Sequence, residues 1–187
     1  MHAMKTLLSL TLSLTALLAP LAAQGAPKPG PEHQKLAAQA GVWSAAIEMT
    51  GEDGKPVQST GTSTLSVGPG GFWLIDDFQA EIMGGPFHGH GSTGFDQGKG
   101  KYVGTWIDSW SSSIMVLEGG YDAAGKVLTM TGMAPGMDGK PVQHTLVTTD
   151  KDANTRLFEM FLPGPDGKAM KVMTITYTRK AAKTGGK

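Results

Sequence analysis

From Gly41 to Arg179 this chain leaves no stretch long enough for a crossover helix between strands. Apolar and polar residues alternate with a period of two, and short turn signals interrupt the alternation. Ten such runs can be marked, over residues 42–50, 56–67, 71–83, 86–96, 101–109, 113–121, 126–133, 140–149, 155–162 and 169–179. A period of two places successive side chains on opposite faces of a strand. Asp53-Gly54-Lys55, Asp138-Gly139-Lys140 and Asp166-Gly167-Lys168 use one hairpin signal three times. Sequential strands joined by tight turns pair antiparallel. A long meander curls, and closing it removes its open edges. The expectation is an all-β fold, an antiparallel up-and-down barrel of about ten strands.

The stretch from Gly84 to Glu118 supports closure. Gly89, Gly91, Gly94 and Gly104 stand among Phe87, Phe95, Tyr102, Trp106 and Trp110. Glycines in strands make room for large rings across the ladder and permit tight curvature. A Gly84-Gly85 turn would pair Ile82 with Phe87, Phe78 with Gly91 and Asp76 with Thr93. The face carrying Phe72, Leu74, Phe78, Ile82, Phe87 and Phe95 is then interior, and Gln79, Glu81, His88 and His90 fall outside. Beyond the next turn Phe95 should meet Tyr102, Trp106 should face Gly91 and Asp108 should face Gly89. A Ser-rich loop at 110–113 would set Met115 beside Asp108 and Leu117 beside Trp106, with Met130 next to Leu117.

The N-terminus reads differently. Lys5 precedes an apolar run from Leu7 to Leu18, followed by small residues between Pro20 and Gly25. That is a signal-peptide pattern, too short to span a bilayer. Residues 1–25 are therefore expected to be removed on export, leaving a periplasmic or secreted protein with no membrane segment. Residues 26–35 form a linker and the start of a short helix, opened by Pro31 and closed by Gly41. Residues 36–180 form the single barrel domain, and 181–187 a disordered tail. Lys plus Arg and Asp plus Glu both number 16, so no basic face recommends nucleic acid as a partner. The chain has no cysteine, which excludes disulfides and thiolate metal sites. The oligomeric state is not encoded in any of these patterns.

Some of these residues resemble known families. Leu36, Gly41-Val42-Trp43 and Thr178-Arg179 resemble the calycin signature of lipocalins, fatty-acid-binding proteins and nitrobindin-like barrels. There a Trp near the barrel floor packs beneath an Arg from the last strand, so Trp43 and Arg179 are expected to be structural. More closely, the chain resembles DUF1579, a bacterial family of unknown function. Met83-Gly84-Gly85-Pro86-Phe87, Gly91 to Asp96, Tyr102 to Ser109, Phe158-Glu159-Met160 and Thr174 to Arg179 carry that resemblance. Ser44-Ala45 departs from the usual Trp-x-Gly continuation. The resemblance implies a calycin-like barrel and brings no activity with it.

Asp76 and Asp108 lie in apolar runs and fall inward. A carboxylate inside a barrel must be paired, hydrogen-bonded or protonated. It can hold a ligand's polar group, serve as a structural acceptor, or act as an acid or base. Trp106, Met115 and Met160 would provide apolar wall, with Met49, Met130 and Met173 making the interior rich in adaptable methionine. The leading reading is an exported, non-enzymatic binding protein holding a small apolar molecule, with Trp106, Met115, Met160, Asp76 and Asp108 as the ligand site. The alternatives are an isomerase or hydrolase using an interior carboxylate, and a haem- or metal-binding barrel of nitrobindin type. His144 is the haem candidate, on an alternating run with Val142 and Leu146. His88 and His90 share a strand face, and an exposed polar surface rather than a metal site is expected there. No cofactor is required by the leading reading.

Overall fold

The alternating runs become strands, and the strands close. The computed structural model describes residues 27–51, 54–136 and 138–181. A short helix, α1 (Pro31–Ala37), precedes β1 (Gly41–Thr50), β2 (Pro56–Val67), β3 (Trp73–Ile82), β4 (Gly85–Asp96) and β5 (Lys101–Asp108). Then follow β6 (Ser111–Tyr121), β7 (Val127–Pro135), β8 (Pro141–Asp152), β9 (Thr155–Pro163) and β10 (Ala169–Arg179). Each strand pairs antiparallel with its neighbours in sequence, and β1 pairs with β10 to close the barrel. This is the expected antiparallel up-and-down architecture, with a short α-helix on its N-terminal side. The proposed leader (1–25) lies outside the described residues, as does the proposed tail from residue 182.

The hairpin signal performs as its chemistry requires. Gly54, Gly139 and Gly167 have φ of 77°, 75° and 76°. The side chains of Asp138 and Asp166 each accept from the amide two residues on, at 3.0 Å. Gly51, Gly136 and Gly164 donate across their turns to Lys55, Lys140 and Lys168 carbonyls at 2.7–2.8 Å. All three turns lie at the same barrel end, between β1 and β2, β7 and β8, and β9 and β10.

The helix is shorter than its punctuation suggests: past Ala37 the chain turns through i→i+3 bonds, from Gln39 N to Leu36 O and Ala40 N to Ala37 O, and the carbonyls beyond the helix have other partners. Arg179 donates to Ala38 O and Ala40 O, and Trp43 Nε1 donates to Gln39 O at 3.0 Å. The start of α1 is held by His33, a buried residue whose role the sequence did not reveal. Its Nδ1 accepts from Gly30 N and its Nε2 donates to Phe95 O, both at 3.0 Å. Its ring packs edge-on to Phe72 and Phe95. The helix thereby plugs the barrel end away from the three Asp-Gly-Lys turns.

Three expected registers are off by two residues. The β3–β4 turn is Met83-Gly84, both at positive φ, so Ile82 pairs with Gly85 and Asp76 with Gly91. Two residues at positive φ are what a tight primed hairpin requires. The β5–β6 connection is also tighter than expected: Trp106 pairs with Met115, Asp108 with Ser111, and the ladder shifts between them. Leu117 pairs with Gly132 and Met130 with Gly119. Phe95 with Tyr102, Trp106 with Gly91 and Asp108 with Gly89 stand as expected. A slip of two leaves every side chain on its face. Leu74, Phe78, Ile82 and Phe87 are buried, while Gln79, Glu81, His88 and His90 are exposed.

Candidate functional site

Inward-facing residues of the ten strands do not fill the barrel. They surround a cavity of about 830 Å³ that reaches from Leu36 and Gln39, beneath α1, to Trp110 and Gly139 at the other end. Met49, Met115, Met130, Met160 and Met173 all line it. Period-two alternation delivers them there: Phe158 and Met160 come from β9, and Met173 and Ile175 from β10.

Trp106 forms part of the wall because β4 has no side chains in its way. A Cβ on Gly89 would stand 2.2 Å from Trp106 Cζ2, and one on Gly91 would stand 3.0 Å from Cε3. The indole itself thus occupies the space that the two glycines open. Its Nε1 donates to Asp108 Oδ2 at 2.9 Å. Asp108 Oδ1 accepts from the Trp110 amide, also at 2.9 Å. Asp108 does border the cavity, yet both its oxygens already serve the wall and the β5–β6 turn.

Asp76 stands deeper and is differently placed. Ser63 Oγ, fully buried, donates to its Oδ1 at 2.7 Å. Burial pushes the Asp76 carboxyl above the usual carboxylate range, only partly opposed by the Ser63 hydrogen bond and the nearby Arg156 charge. Asp76, Arg156, Tyr121 and Tyr177 all border the cavity near its α1 end.

Arg156 is the feature that inspection of the sequence passed over. It is only 8% exposed. Its guanidinium lies over Trp43, 4.4 Å from the ring centroid, and 5.3 Å from that of Tyr177. Arg179 lies over the same indole at 4.2 Å. Arg156 Nη1 donates to Gln39 Oε1 at 2.6 Å. Its Nε is buried with no acceptor, and no carboxylate among the described residues forms an ion pair with it. Burial lowers the Arg156 pKa. Asp150, its cross-strand neighbour, instead accepts from Tyr121 OH at 3.2 Å, and that hydroxyl accepts from Gln39 Nε2 at 3.0 Å. Burial likewise pushes the Tyr177 and Tyr121 hydroxyls up. One signal could have found Arg156: Arg156, Phe158 and Met160 alternate, so an inward Met160 implies an inward Arg156.

The histidines separate. His144 is buried on β8 and lines the cavity; its Nδ1 lies 3.2 Å from Val142 O. A proton on Nδ1 would satisfy that carbonyl and leave Nε2 as the ring's acceptor. His88 and His90 stand on the outer face of β4, with His90 Nδ1 2.7 Å from Asp77 Oδ1. Among the described residues no three His, Cys, Asp or Glu side chains cluster as a metal site. No helix among them is long and apolar enough to cross a membrane.

The barrel is shared with solved structures. Rv2717c from M. tuberculosis superposes with a TM-score of 0.59 at 13% identity, covering 81% of this chain and 98% of that one. The S-type phycobiliprotein lyase CPES from Guillardia theta gives a TM-score of 0.55 at 10% identity, covering 83% and 100%. Identities this low establish the common fold alone. No curated protein matches the sequence. Residues 28–179 match the family described as "Protein of unknown function (DUF1579)", and this chain belongs to it.

Proposed function

We propose that this chain is an exported, non-enzymatic binding protein that holds a small, largely apolar molecule in its barrel interior. The observation that carries the reading is the cavity itself, about 830 Å³, with methionine-rich walls and the side chains of Asp76, Arg156, Tyr121 and Tyr177 at its α1 end. Ligand sites of about 300–1,000 Å³ with mostly apolar linings and a few placed polar groups are the common pattern. Trp106, Met115 and Met160 supply wall, methionine adapting to irregular apolar shapes. Asp76 supplies a polar point deep in the cavity, and Asp108 holds the Trp106 ring in place. Export is supported by the Lys5 and Leu7–Leu18 pattern.

Native mass spectrometry of the protein recovered after export tests both parts. A bound species of a few hundred daltons, lost on organic extraction, is expected, on a mature chain beginning between Gln24 and Lys28. A chain still starting at Met1 would reject export. A ligand-free protein that also takes up no apolar fluorescent probe would reject binding.

His144 favours a second reading, haem binding. It is a cavity-lining imidazole whose Nδ1 is directed to a backbone carbonyl, which would leave Nε2 free to hold iron. Haem would supply its own iron chemistry, and His144 would hold it. The leading reading expects no stoichiometric visible band on haem addition. A band that His144→Ala abolishes would reverse the order of the two readings.

A further inference from the structure

We infer that the α1 end of the cavity is a carboxylate subsite, and that the ligand is an apolar molecule with a single carboxylate head directed at Arg156 and Tyr177. This inference rests on the binding reading above and names the class of ligand. Arg156 is more than nine-tenths buried, borders the cavity, and has one acceptor among the described residues for its five N–H donors. Asp150 and Asp76 act on its charge from nearby, but neither forms an ion pair with it, and a ligand carboxylate oxygen fits its remaining donors. Nη2 has no partner among the described residues and, unlike Nε, is not sealed from its surroundings, so a ligand oxygen can reach it.

The groups around Arg156 agree. Asp150, the acid across the ladder, is already engaged by the Tyr121 hydroxyl. Tyr177, paired with Arg156 across β9 and β10, borders the cavity, and its hydroxyl has no partner among the described residues. It can donate to a carboxylate oxygen. Asp76 keeps one oxygen for Ser63, and burial raises its carboxyl pKa. Trp43 beneath the guanidinium holds the plane in place.

The geometry also limits the tail. From Asp76 to Ile82, β3 runs six residues toward the open end. At ~3.3 Å per residue and a strand tilt of about 40°, that is about 15 Å along the barrel axis. The wall over this distance includes Phe78, Met115 and Met160, all apolar. Dodecanoate has an extended tail of that order, and dodecanol is the same tail with an uncharged head.

The test is displacement of a neutral fluorescent probe from the wild-type protein by dodecanoate, dodecanol and dodecyltrimethylammonium at neutral pH. Dodecanoate is expected to bind more tightly than dodecanol by roughly tenfold or more. Arg156→Gln should bring the two affinities within about threefold of each other while leaving dodecanol nearly unchanged. Should Arg156→Gln fail to fold by circular dichroism, Tyr177→Phe serves instead, with dodecanoate alone weakened. Equal binding of dodecanoate and dodecanol, a preference for the cationic head, or a carboxylate preference that survives both variants would overturn the subsite and leave barrel binding intact. No displacement by any of the three would overturn the binding reading, and the subsite with it.

Discussion

Replacing Asp108 with Asn separates a wall residue from a ligand residue. The carboxylate accepts from the Trp106 indole and from the Trp110 amide, one oxygen for each, at 2.9 Å. Asparagine has one carbonyl oxygen, and its amide nitrogen would face a second donor. The half-buried Trp106 N–H is costlier to leave unpaired than an amide beside the exposed Trp110, so the oxygen should stay with Trp106. The Trp110 amide would then turn to water. One charge-assisted hydrogen bond is lost and one becomes neutral, which amounts to about 1–2 kcal/mol. Asp108→Ala loses both acceptors and should cost about 2–3 kcal/mol. Urea melts of ligand-free protein, read by tryptophan emission with the slope held constant, measure both. Dodecanoate affinity of the folded Asp108→Asn protein should equal that of wild type. An unchanged urea midpoint together with weakened binding would refute this assignment and return Asp108 to the ligand site.

Asp76→Asn tests burial of the deeper carboxyl through its pH dependence. The folded-state pKa of Asp76 is raised above the unfolded value. Its stabilising share is therefore complete below about pH 4, the unfolded pKa, and is lost as pH rises through the folded pKa. Asparagine removes that loss, so the variant should gain on wild type between pH 4 and pH 7 in urea midpoint; a parallel pair of curves would contradict the burial argument. Gly89→Ala places a Cβ 2.2 Å from Trp106 Cζ2 and forces the indole to move. Overpacking of this kind costs about 1–3 kcal/mol, read as a lower melting temperature with altered tryptophan emission, and an unchanged melt would mean that the ring is free to move away. His33→Ala removes two hydrogen bonds and two edge-on ring contacts at the start of α1. About 2–3 kcal/mol should be lost, and hydrogen exchange should show faster opening at α1 than in β7 and β8; uniform exchange would contradict the view that His33 anchors the helix.

Residue patterning alone determined the strands and their faces. Alternation from Gly41 to Arg179 and the Asp-Gly-Lys turns specify ten short strands, and a side-chain period of two makes the choice of face tolerant of error. Pairing Ile82 with Phe87 rather than Gly85 missed the turn by two residues, yet Leu74, Asp76 and Phe78 stayed inward. The glycine pairs were legible for the same reason, since Trp106 and Gly91 lie on one face of adjacent strands joined by a short turn. Local spacing could not say how far α1 would run, because the carbonyls just beyond it are held by Trp43 and by Arg179, from the far end of the chain. Nor could it say what each inward polar group would meet. Asp108 finds its partners within two residues, whereas Arg156 finds Gln39 at a separation of 117 residues and Trp43 on another strand. Closure of β1 on β10 brings those segments together, and only closure leaves a buried guanidinium facing a cavity with no ion pair to it among the described residues. The alternation sets which way each side chain points; the closed barrel decides which charges are left unpaired inside it.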